Sequence, residues 1–325
     1  MGAFRSKAAI YFFLGVTLAT AQAAPPETTL QTFPYKRVGD LEVLLDVHRP
    51  DDQKIRPVAV WIHGGALING GRQGIGRASR MLLEAGYCVV SIDYRLAPES
   101  KMPEIYEDLE DAFRWIRENG RKEFRGDVSK IAVLGGSAGG HLTLATGFRV
   151  DPSPDVLVSF WGYGDVIGPW LSEPSPHHRH AGKEITPKEI QTIESSPPIA
   201  NAADRKGDGG AYYQHCRRTG TWPEKVAGFD PETEPEKFSP FMAVKNVSPD
   251  YPPTLLIHGT EDTDVPYEQS AMMAREFRKH GVPHRLIRIA NGEHGLAGAD
   301  REDIEAAFAA VLPFIAKYVP PPEDE

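Results

Sequence analysis

The sequence has little of three things that mark special classes of protein. It contains 2 cysteines in 325 residues, too few for a disulfide framework and without the spacing of a zinc site. Cys88 falls in an apolar run and Cys216 in a polar stretch, so we expect no disulfide between them. Positive charge is scarce too, since the formal net charge is −9 and no lysine- or arginine-rich run occurs. This balance argues against nucleic acid as a partner, because phosphate backbones need a basic face.

Long apolar runs are also missing, apart from a short one near the N-terminus. Arg5 and Lys7 precede an apolar run over residues 8–18, and small residues at 21–23 resemble a cleavage site. The run is shorter than the roughly 20 residues that span a bilayer. We therefore expect residues 1–23 to be a signal peptide and the mature protein to be secreted or periplasmic, without a stable membrane span. An uncleaved membrane anchor is the alternative.

Apolar strands and helices alternate along most of the remaining chain. The predicted strands are residues 41–47, 58–62, 88–94, 131–134, 156–161, 254–257 and 285–289, and the predicted helices are 78–85, 104–119 and 301–319. Pro313 is expected to bend the last helix. Continuous Val/Ile/Leu strands between helices indicate an α/β fold with a mostly parallel sheet covered by helices on both faces.

The stretch from about residue 165 to 250 breaks this alternation. It is rich in proline, glycine and charge and has no clear period. Since a structureless loop of this length is rare inside a domain, we predict an insertion with short helices, one starting at Pro187. We interpret it as a cap over the site within a single domain, residues 24–325. Five aromatic residues are candidate pocket walls: Trp161, Trp170, Tyr212, Tyr213 and Trp222.

The most informative motif is G-x-S-x-G at residues 135–139. An apolar strand precedes it and a helix start follows it, so Ser137 is expected on a tight strand-to-helix turn. Such a turn strains the backbone and exposes the hydroxyl, and small neighbours allow it. The motif alone arises by chance in many chains, so its context must support the prediction of a nucleophile.

A serine nucleophile needs a base, and the base needs an acid to orient it. In a sheet of this kind the order along the chain is serine, acid, histidine. The loop after the penultimate strand offers Asp262, with Glu261 and Asp264 as alternatives, and His294 lies between the last strand and the last helix. Both loops follow the carboxyl ends of strands, where open α/β sheets place their sites. We therefore predict a catalytic triad of Ser137, Asp262 and His294.

The other histidines are less suited to act as the base. His141 directly follows the serine turn and is expected at a helix start. His177, His178 and His180 could bind zinc, but no ordered element or acidic partner surrounds them in the sequence. We predict neither a metal site nor a cofactor.

An oxyanion formed in acyl transfer needs fixed N–H donors. His63, Gly64 and Gly65 directly follow an apolar strand, where glycines let the backbone turn its N–H groups toward a substrate. We predict an oxyanion hole of Gly64, Gly65 and Ala138, and expect His63 to be held within the loop as a structural residue.

Taken together and in this order, these motifs resemble the α/β-hydrolase superfamily. They are the H-G-G at residues 63–65, Tyr94 to Glu99, the serine turn, the H-G-x-x-D at 258–262 followed by Val265-Pro266, and the Gly-x-His at 292–294. Within the superfamily they resemble carboxylesterases of the hormone-sensitive-lipase type and the feruloyl/acetyl-xylan esterase group. Ala66 stands where many members carry a third glycine, and in those members a preference for bulky alcohols is tied to the three glycines.

The resemblance implies a serine hydrolase that cleaves small carboxylic esters, of short acyl, acetyl or feruloyl type, through an acyl-enzyme. A peptidase of the prolyl oligopeptidase type is one alternative, although the chain is too short for the propeller domain of those enzymes. A catalytically inactive binding protein with the same fold is another.

Overall fold

The computed structural model describes residues 27–322, so the predicted signal peptide lies outside the described residues. Eight strands form one sheet: β1 (Thr28–Val38), β2 (Leu41–Pro50), β3 (Arg56–Ile62), β4 (Cys88–Ile92), β5 (Gly126–Gly136), β6 (Val156–Phe160), β7 (Thr254–Gly259) and β8 (His284–Ile289). Their order is β1-β2-β4-β3-β5-β6-β7-β8. Only β2 runs antiparallel to its neighbours, β1 and β4. The predicted α/β class with a mostly parallel sheet is confirmed.

Helices cover both faces of this sheet. They are α1 (Arg77–Glu84), α2 (Met102–Phe124), α3 (Ala138–Arg149), α4 (Pro169–Ser172), α5 (Pro187–Glu194), α6 (Gly209–Thr219), α7 (Trp222–Ala227), α8 (Glu268–His280), α9 (Arg301–Ala309) and α10 (Val311–Ala316). Apolar residues of α2, α3 and α8 pack on one face, and those of α1, α9 and α10 pack on the other. Within residues 27–322, no helix combines the length and the apolar character that crossing a membrane requires.

The strand residues alternate between the two apolar layers. In β3, Val58 and Val60 belong to the layer under α2 and α3, whereas Ala59 belongs to the layer under α1 and α9. In β5, Val133 and Leu134 divide in the same way. Because successive side chains of a strand point to opposite faces, a continuous apolar run fills both layers, which keeps the sheet central.

Two elements of the structure were not predicted, and the predicted last helix is divided into two. The edge strand β1 and the helix α8 were not among the predicted elements. The predicted last helix is interrupted at Ala310, which separates α9 from α10. Pro313 lacks an N–H and its ring crowds the carbonyl four residues earlier, so the expected bend takes the form of a break.

The chain between β6 and β7, residues 161–253, is called the β6–β7 segment below. It contains α4 to α7 and four short 3₁₀ helices. Thr186 caps α5, since its Oγ1 accepts the Glu189 N–H at 3.3 Å while the Glu189 carboxylate accepts the Thr186 N–H at 2.9 Å. The predicted helix start at Pro187 is confirmed. Cys216 on α6 and Cys88 on β4 are both buried free thiols.

Candidate active site

Ser137 lies on the turn between β5 and α3 in a backbone conformation that non-glycine residues rarely adopt. Its φ is 57° and its ψ is −123°. Such strain persists only where the surrounding structure imposes it, and it is concentrated at functional sites. Gly139 allows the turn to form, because a Cβ there would lie 2.1 Å from the carbonyl oxygen of Ile62. The turn thus presents the Ser137 hydroxyl at the carboxyl end of the central strands.

Three loops bring Ser137, His294 and Asp262 into one row. The Ser137 Oγ lies 3.1 Å from Nε2 of His294, and Nδ1 of His294 lies 2.8 Å from Oδ2 of Asp262. Oδ1 of Asp262 accepts the backbone N–H groups of Asp264 at 3.0 Å and Val265 at 2.8 Å. The carboxylate is therefore fixed by the backbone of its own loop and orients the imidazole. The structure brings all three predicted residues together.

The two ionisable groups of this row have shifted pKa values. Burial raises the pKa of Asp262, but hydrogen bonds from His258 and His294 outweigh burial and lower it to about 2. Burial lowers the pKa of His294, but the hydrogen bond and charge of Asp262, together with the charge of Asp264, outweigh burial and raise it. An ionised acid beside an imidazole of raised pKa suits a base that must take up a proton and hold it briefly.

His258, the first residue of the H-G-x-x-D motif, supports the acid from inside the fold. Its Nδ1 lies 2.7 Å from Oγ of Ser270 on α8, and its Nε2 lies 2.9 Å from the carbonyl of Val265 and 3.3 Å from Oδ2 of Asp262. It is fully buried. The motif thus contributes a structural histidine as well as the acid, a role that the sequence reasoning did not assign.

Two of the three predicted oxyanion donors adjoin Ser137: Gly64 packs on the serine turn and Ala138 follows Ser137 in the chain. A Cβ on Gly64 would lie 2.7 Å from the carbonyl oxygen of Gly136 and 3.3 Å from Cβ of Ser137, so Gly64 packs directly against the serine turn. Within residues 27–322, the amides of Gly64 and Gly65 donate to no acceptor. Ala138 is the first residue of α3, so its N–H has no partner within the helix. These groups are free to donate to a substrate oxygen.

The loop that carries Gly64 and Gly65 is held by its own side chains and by the β6–β7 segment. His63 stacks on Tyr94 with 4.3 Å between ring centres, and its Nδ1 lies 2.8 Å from the Gly64 carbonyl oxygen. Burial lowers the pKa of His63 to about 4, so it is neutral and structural, as expected. Ala66, in place of a third glycine, has φ of 59°, and its carbonyl accepts the indole N–H of Trp222 at 3.1 Å.

An apolar cavity of about 360 Å³ opens beside Ser137. Its lining residues come from the ends of β3, β5 and β6 and from helices α1 and α9: Trp61, Gly64, Gly76, Arg77, Ala78, Gly136, Ser137, Phe160, Trp161 and Phe308. Of the five aromatic residues predicted as pocket walls, Trp161 lines it. Tyr212 and Trp222 are core residues instead, Trp170 packs against the same core, and Tyr213 bonds to Asp264. The cavity walls Trp61, Phe160 and Phe308 were not identified from the sequence.

The two alternative acids occupy different surroundings. Glu261 is exposed to solvent. Asp264 is mostly buried, and its Oδ2 lies 3.6 Å from Nε2 of His294, on the serine side of the ring. Asp262 therefore holds the position of the orienting acid, while Asp264 is a second carboxylate close to the base.

The histidines considered as alternatives have structural partners. His141 is buried on α3, with its Nε2 2.9 Å from Oη of Tyr106 and its Nδ1 2.9 Å from the Tyr163 carbonyl oxygen. Nδ1 of His180 lies 2.6 Å from Oγ of Ser175, and Nε2 lies 2.9 Å from Oδ1 of Asp264. In the described part of the chain, no group of three or more His, Cys, Asp or Glu side chains is arranged to hold a metal ion.

Arginine contacts from the β6–β7 segment are a further feature that the sequence reasoning missed. Arg179 forms an ion pair with Glu293, the residue before His294, and reaches Oγ1 of Thr263 at 3.2 Å. Arg217 on α6 donates to Oδ1 of Asp264 at 3.0 Å. The segment thus packs on the loops that carry both the acid and the base.

The sheet order and the strained serine turn define an α/β-hydrolase fold. A family model called BD-FAE matches residues 45–277, and the chain belongs to the BD-FAE family. This confirms the resemblance to α/β-hydrolase carboxylesterases, and it supports ester hydrolysis as the type of reaction.

Similar structures agree with this fold. A Staphylococcus aureus protein of unknown function superposes with a TM-score of 0.70 at 22% identity, covering 89% of this chain and 99% of its own. Esterase 2 of Thermogutta terrifontis, phosphorylated by paraoxon, gives 0.64 at 18% identity, covering 94% and 100%. An esterase of Pyrobaculum calidifontis gives 0.62 at 24% identity, covering 90% and 86%.

The chain also resembles a portion of much larger enzymes. The non-reducing polyketide synthase mapC′ of Penicillium brevicompactum is 27% identical over 94% of this chain and 16% of its own length. The chain thus spans about one sixth of that relative, and similarly small parts of the other polyketide synthases that match.

Proposed function

We propose that the protein hydrolyses small carboxylic esters through an acyl-enzyme formed on Ser137. The observation that carries the proposal is the hydrogen-bonded row of Ser137, His294 and Asp262 beside an apolar cavity. His294 takes the proton of the Ser137 hydroxyl as its Oγ attacks the ester carbonyl. The N–H groups of Gly64, Gly65 and Ala138 stabilise the oxyanion. His294 then protonates the leaving alcohol, and water, activated by the same base, releases the acid.

The placement of the two halves of the ester follows from the positions of these groups. The leaving oxygen must lie near Nε2 of His294 to receive its proton. The cavity is lined by Ser137 and Gly64, with His294 outside its lining. The acyl group therefore occupies the cavity, whose walls are indole and phenyl rings, and the alcohol lies on the side of His294. Such walls favour an apolar acyl group through burial of its surface.

Removing the nucleophile tests the proposal. Ser137→Ala should lower kcat/KM for p-nitrophenyl butanoate by at least about 10³-fold while the protein stays folded, since the oxyanion donors remain. Ser129→Ala, which removes an exposed hydroxyl far from the turn, is the matched control and should keep full activity. A fluorophosphonate should label the wild type and the Ser129 variant but not Ser137→Ala. Retention of most turnover by Ser137→Ala would refute the proposal.

Aminoacyl p-nitroanilides separate this proposal from the peptidase alternative. The ester reaction should exceed anilide hydrolysis by orders of magnitude in kcat/KM. The reverse preference would favour a peptidase. The prediction of export by residues 1–23 is tested separately, by the N-terminal sequence of the protein recovered outside the cytoplasm.

A further inference from the structure

Asp264 is a second carboxylate at the base, and the triad mechanism does not use it. Its Oδ1 accepts three hydrogen bonds from the β6–β7 segment: from Oη of Tyr213 at 2.5 Å, Nε2 of His180 at 2.9 Å and Nη1 of Arg217 at 3.0 Å. Its Oδ2 faces Nε2 of His294 at 3.6 Å, which is beyond hydrogen-bond distance. Three donors thus fix the carboxylate so that one oxygen points at the place where the ester bond is broken.

The free oxygen of Asp264 carries negative charge. Burial raises the pKa of Asp264, but the hydrogen bond from His180 and the charges of His294 and Arg217 outweigh burial and lower it. Among residues 27–322, no donor lies within hydrogen-bond distance of Oδ2, and 13% of the side chain is exposed. A charged, mostly buried acceptor without a donor is unfavourable unless something that binds there supplies one.

A substrate alcohol would bring its atoms to this oxygen. This step rests on the proposed function, in which the leaving oxygen lies beside Nε2 of His294. A hydroxyl on the carbon next to the ester carbon would then lie between the leaving oxygen and Oδ2 of Asp264. Arg217 already compensates the charge of Asp264, and Arg179 is paired with Glu293, so neither carboxylate requires a cation from the substrate. A neutral hydroxyl therefore suffices as the donor.

We propose that Asp264 is a specificity-determining residue that accepts a hydrogen bond from a hydroxyl adjacent to the scissile ester oxygen. It therefore favours an ester whose alcohol carries such a hydroxyl over an ester whose alcohol lacks it. The β6–β7 segment contributes to this selection by orienting Asp264 through Tyr213, His180 and Arg217, without lining the acyl cavity.

Two esters that differ in one hydroxyl test the proposal without any variant. 2-Hydroxyethyl butanoate and 2-methoxyethyl butanoate share the acyl group and a similar alcohol, but only the first can donate to Asp264. The wild type should favour the hydroxyl ester by about tenfold or more in kcat/KM, as a hydrogen bond to a charged acceptor does. A ratio near one, with both esters hydrolysed, would overturn this proposal and leave the proposed function intact. If neither is hydrolysed, the proposed function fails.

Asp264→Asn then tests the residue itself. The three donors should hold the amide oxygen in place of Oδ1, so the NH₂ group replaces Oδ2 and turns an acceptor into a donor. The preference for the hydroxyl ester should vanish, so that the ratio of kcat/KM for the two esters falls to about one, whatever change in activity is common to both. Both esters depend on His294 equally, so a change in its pKa leaves the ratio unaffected. If kcat/KM fell by the same factor for both esters, Asp264 would act through the base His294, and this result would contradict the proposal.

Glu261→Gln is the matched control, since it removes a negative charge from the same loop at an exposed position. It should keep the wild-type ratio. Should Asp264→Asn fail to fold, Tyr213→Phe removes one of the three donors and should reduce the ratio without abolishing activity. An unchanged ratio in Tyr213→Phe would count against the orienting role of the segment.

Discussion

The charge state of His294 depends on three side chains from two parts of the chain. Burial lowers its pKa, the hydrogen bond and charge of Asp262 and the charge of Asp264 raise it, and the guanidinium of Arg179 lowers it, with a raised pKa as the result. In the proposed mechanism only the neutral imidazole can accept the proton of Ser137. Activity must therefore be lost as the pH falls through this pKa, which lies above the ordinary imidazole value of about 6.5.

Arg179→Gln should move the acidic limb of the pH–activity profile, where activity falls with falling pH, to higher pH. The change removes a positive charge beside the imidazolium and leaves the carboxylate of Glu293 without its ion-pair partner, and both effects favour the protonated ring. We expect a shift of roughly 0.3–1 pH unit in the profile of kcat/KM, measured with a p-nitrophenyl ester at low ionic strength. Arg278→Gln, at an exposed position on α8, should leave the limb in place. A shift of the limb to lower pH would contradict this account of the charges.

At the scale of elements, helices α1 and α9 contribute walls of the apolar cavity beside Ser137. Arg77 on α1 lies over the ring of Phe308 on α9, with 4.5 Å between the guanidinium carbon and the ring centre. Arg77 also donates to Glu305 at 3.1 Å. This contact joins the two helices beside the cavity, so under the proposed function their side chains limit how far an acyl chain can extend.

Phe308→Ala should shift the acyl preference to longer chains. Loss of the phenyl ring enlarges the cavity, and each additional buried methylene contributes about 0.8 kcal/mol, or roughly three- to fourfold in kcat/KM. The ratio of p-nitrophenyl octanoate to butanoate hydrolysis should rise at least severalfold. Phe314→Ala on α10 removes the same ring from the same layer without touching the cavity, so it serves as the control. If Phe308→Ala and Phe314→Ala gave the same ratio of octanoate to butanoate hydrolysis, α9 would not limit the length of the acyl chain.

Elements with a strong local pattern could be predicted from the sequence, and the others differ for physical reasons. The buried strands β3, β4 and β6 are continuous apolar runs, and the motif glycines fix the serine turn. The edge strand β1 is mostly exposed and carries Pro34 beside an irregularity in its pairing, so it lacks apolar alternation.

Helix α8 did have a signal that could have revealed it. Its last turn carries Arg278, Lys279 and His280, and Gly281 follows with φ of 73°, which together form a common helix end.

The sequence likewise predicts one part of the candidate site and not the other. The order of motifs along the chain identifies Ser137, Asp262 and His294, because each follows the end of a strand. The cavity could not be derived, since Trp61 and Phe308 are far apart in sequence and meet only through the packing of α1 on α9. The role of Asp264 likewise depends on donors from the β6–β7 segment, which has no periodic pattern to predict its path.

At the scale of the whole molecule, the β6–β7 segment is joined to the sheet by a buried ion pair. Arg205 donates through Nε and Nη2 to both oxygens of Glu99 at 2.8 and 2.6 Å, and these side chains are 1% and 0% exposed. Arg205 also donates to the carbonyl of Ala97 at 2.8 Å and to that of Ile68, in the loop that carries Gly64 and Gly65. One guanidinium therefore links the segment to two loops at the top of the sheet, so we expect segment and sheet to unfold together.

Removing this guanidinium should destabilise the entire molecule in one cooperative step. Arg205→Ala leaves the Glu99 carboxylate buried without its partner, which costs roughly 3–5 kcal/mol of unfolding free energy. At about 2.1 cal/mol/K per residue over some 300 residues, Tm should fall by roughly 5–8 °C. Far-ultraviolet circular dichroism and tryptophan fluorescence should give coincident transitions. Separate transitions would mean that the segment unfolds independently of the sheet.

Two further variants test whether the unpaired buried charge causes the loss of stability. Replacing both partners, with Arg205→Met and Glu99→Leu together, removes the unpaired charge and should recover a large part of the lost stability, because an apolar pair needs no charge compensation. Lys183→Ala breaks an ion pair with Asp208 that is exposed to solvent, so it should change the unfolding free energy by less than about 1 kcal/mol. If the double variant is as unstable as Arg205→Ala, the hydrogen bonds of Arg205 to the two loop carbonyls, rather than its charge, hold the segment in place.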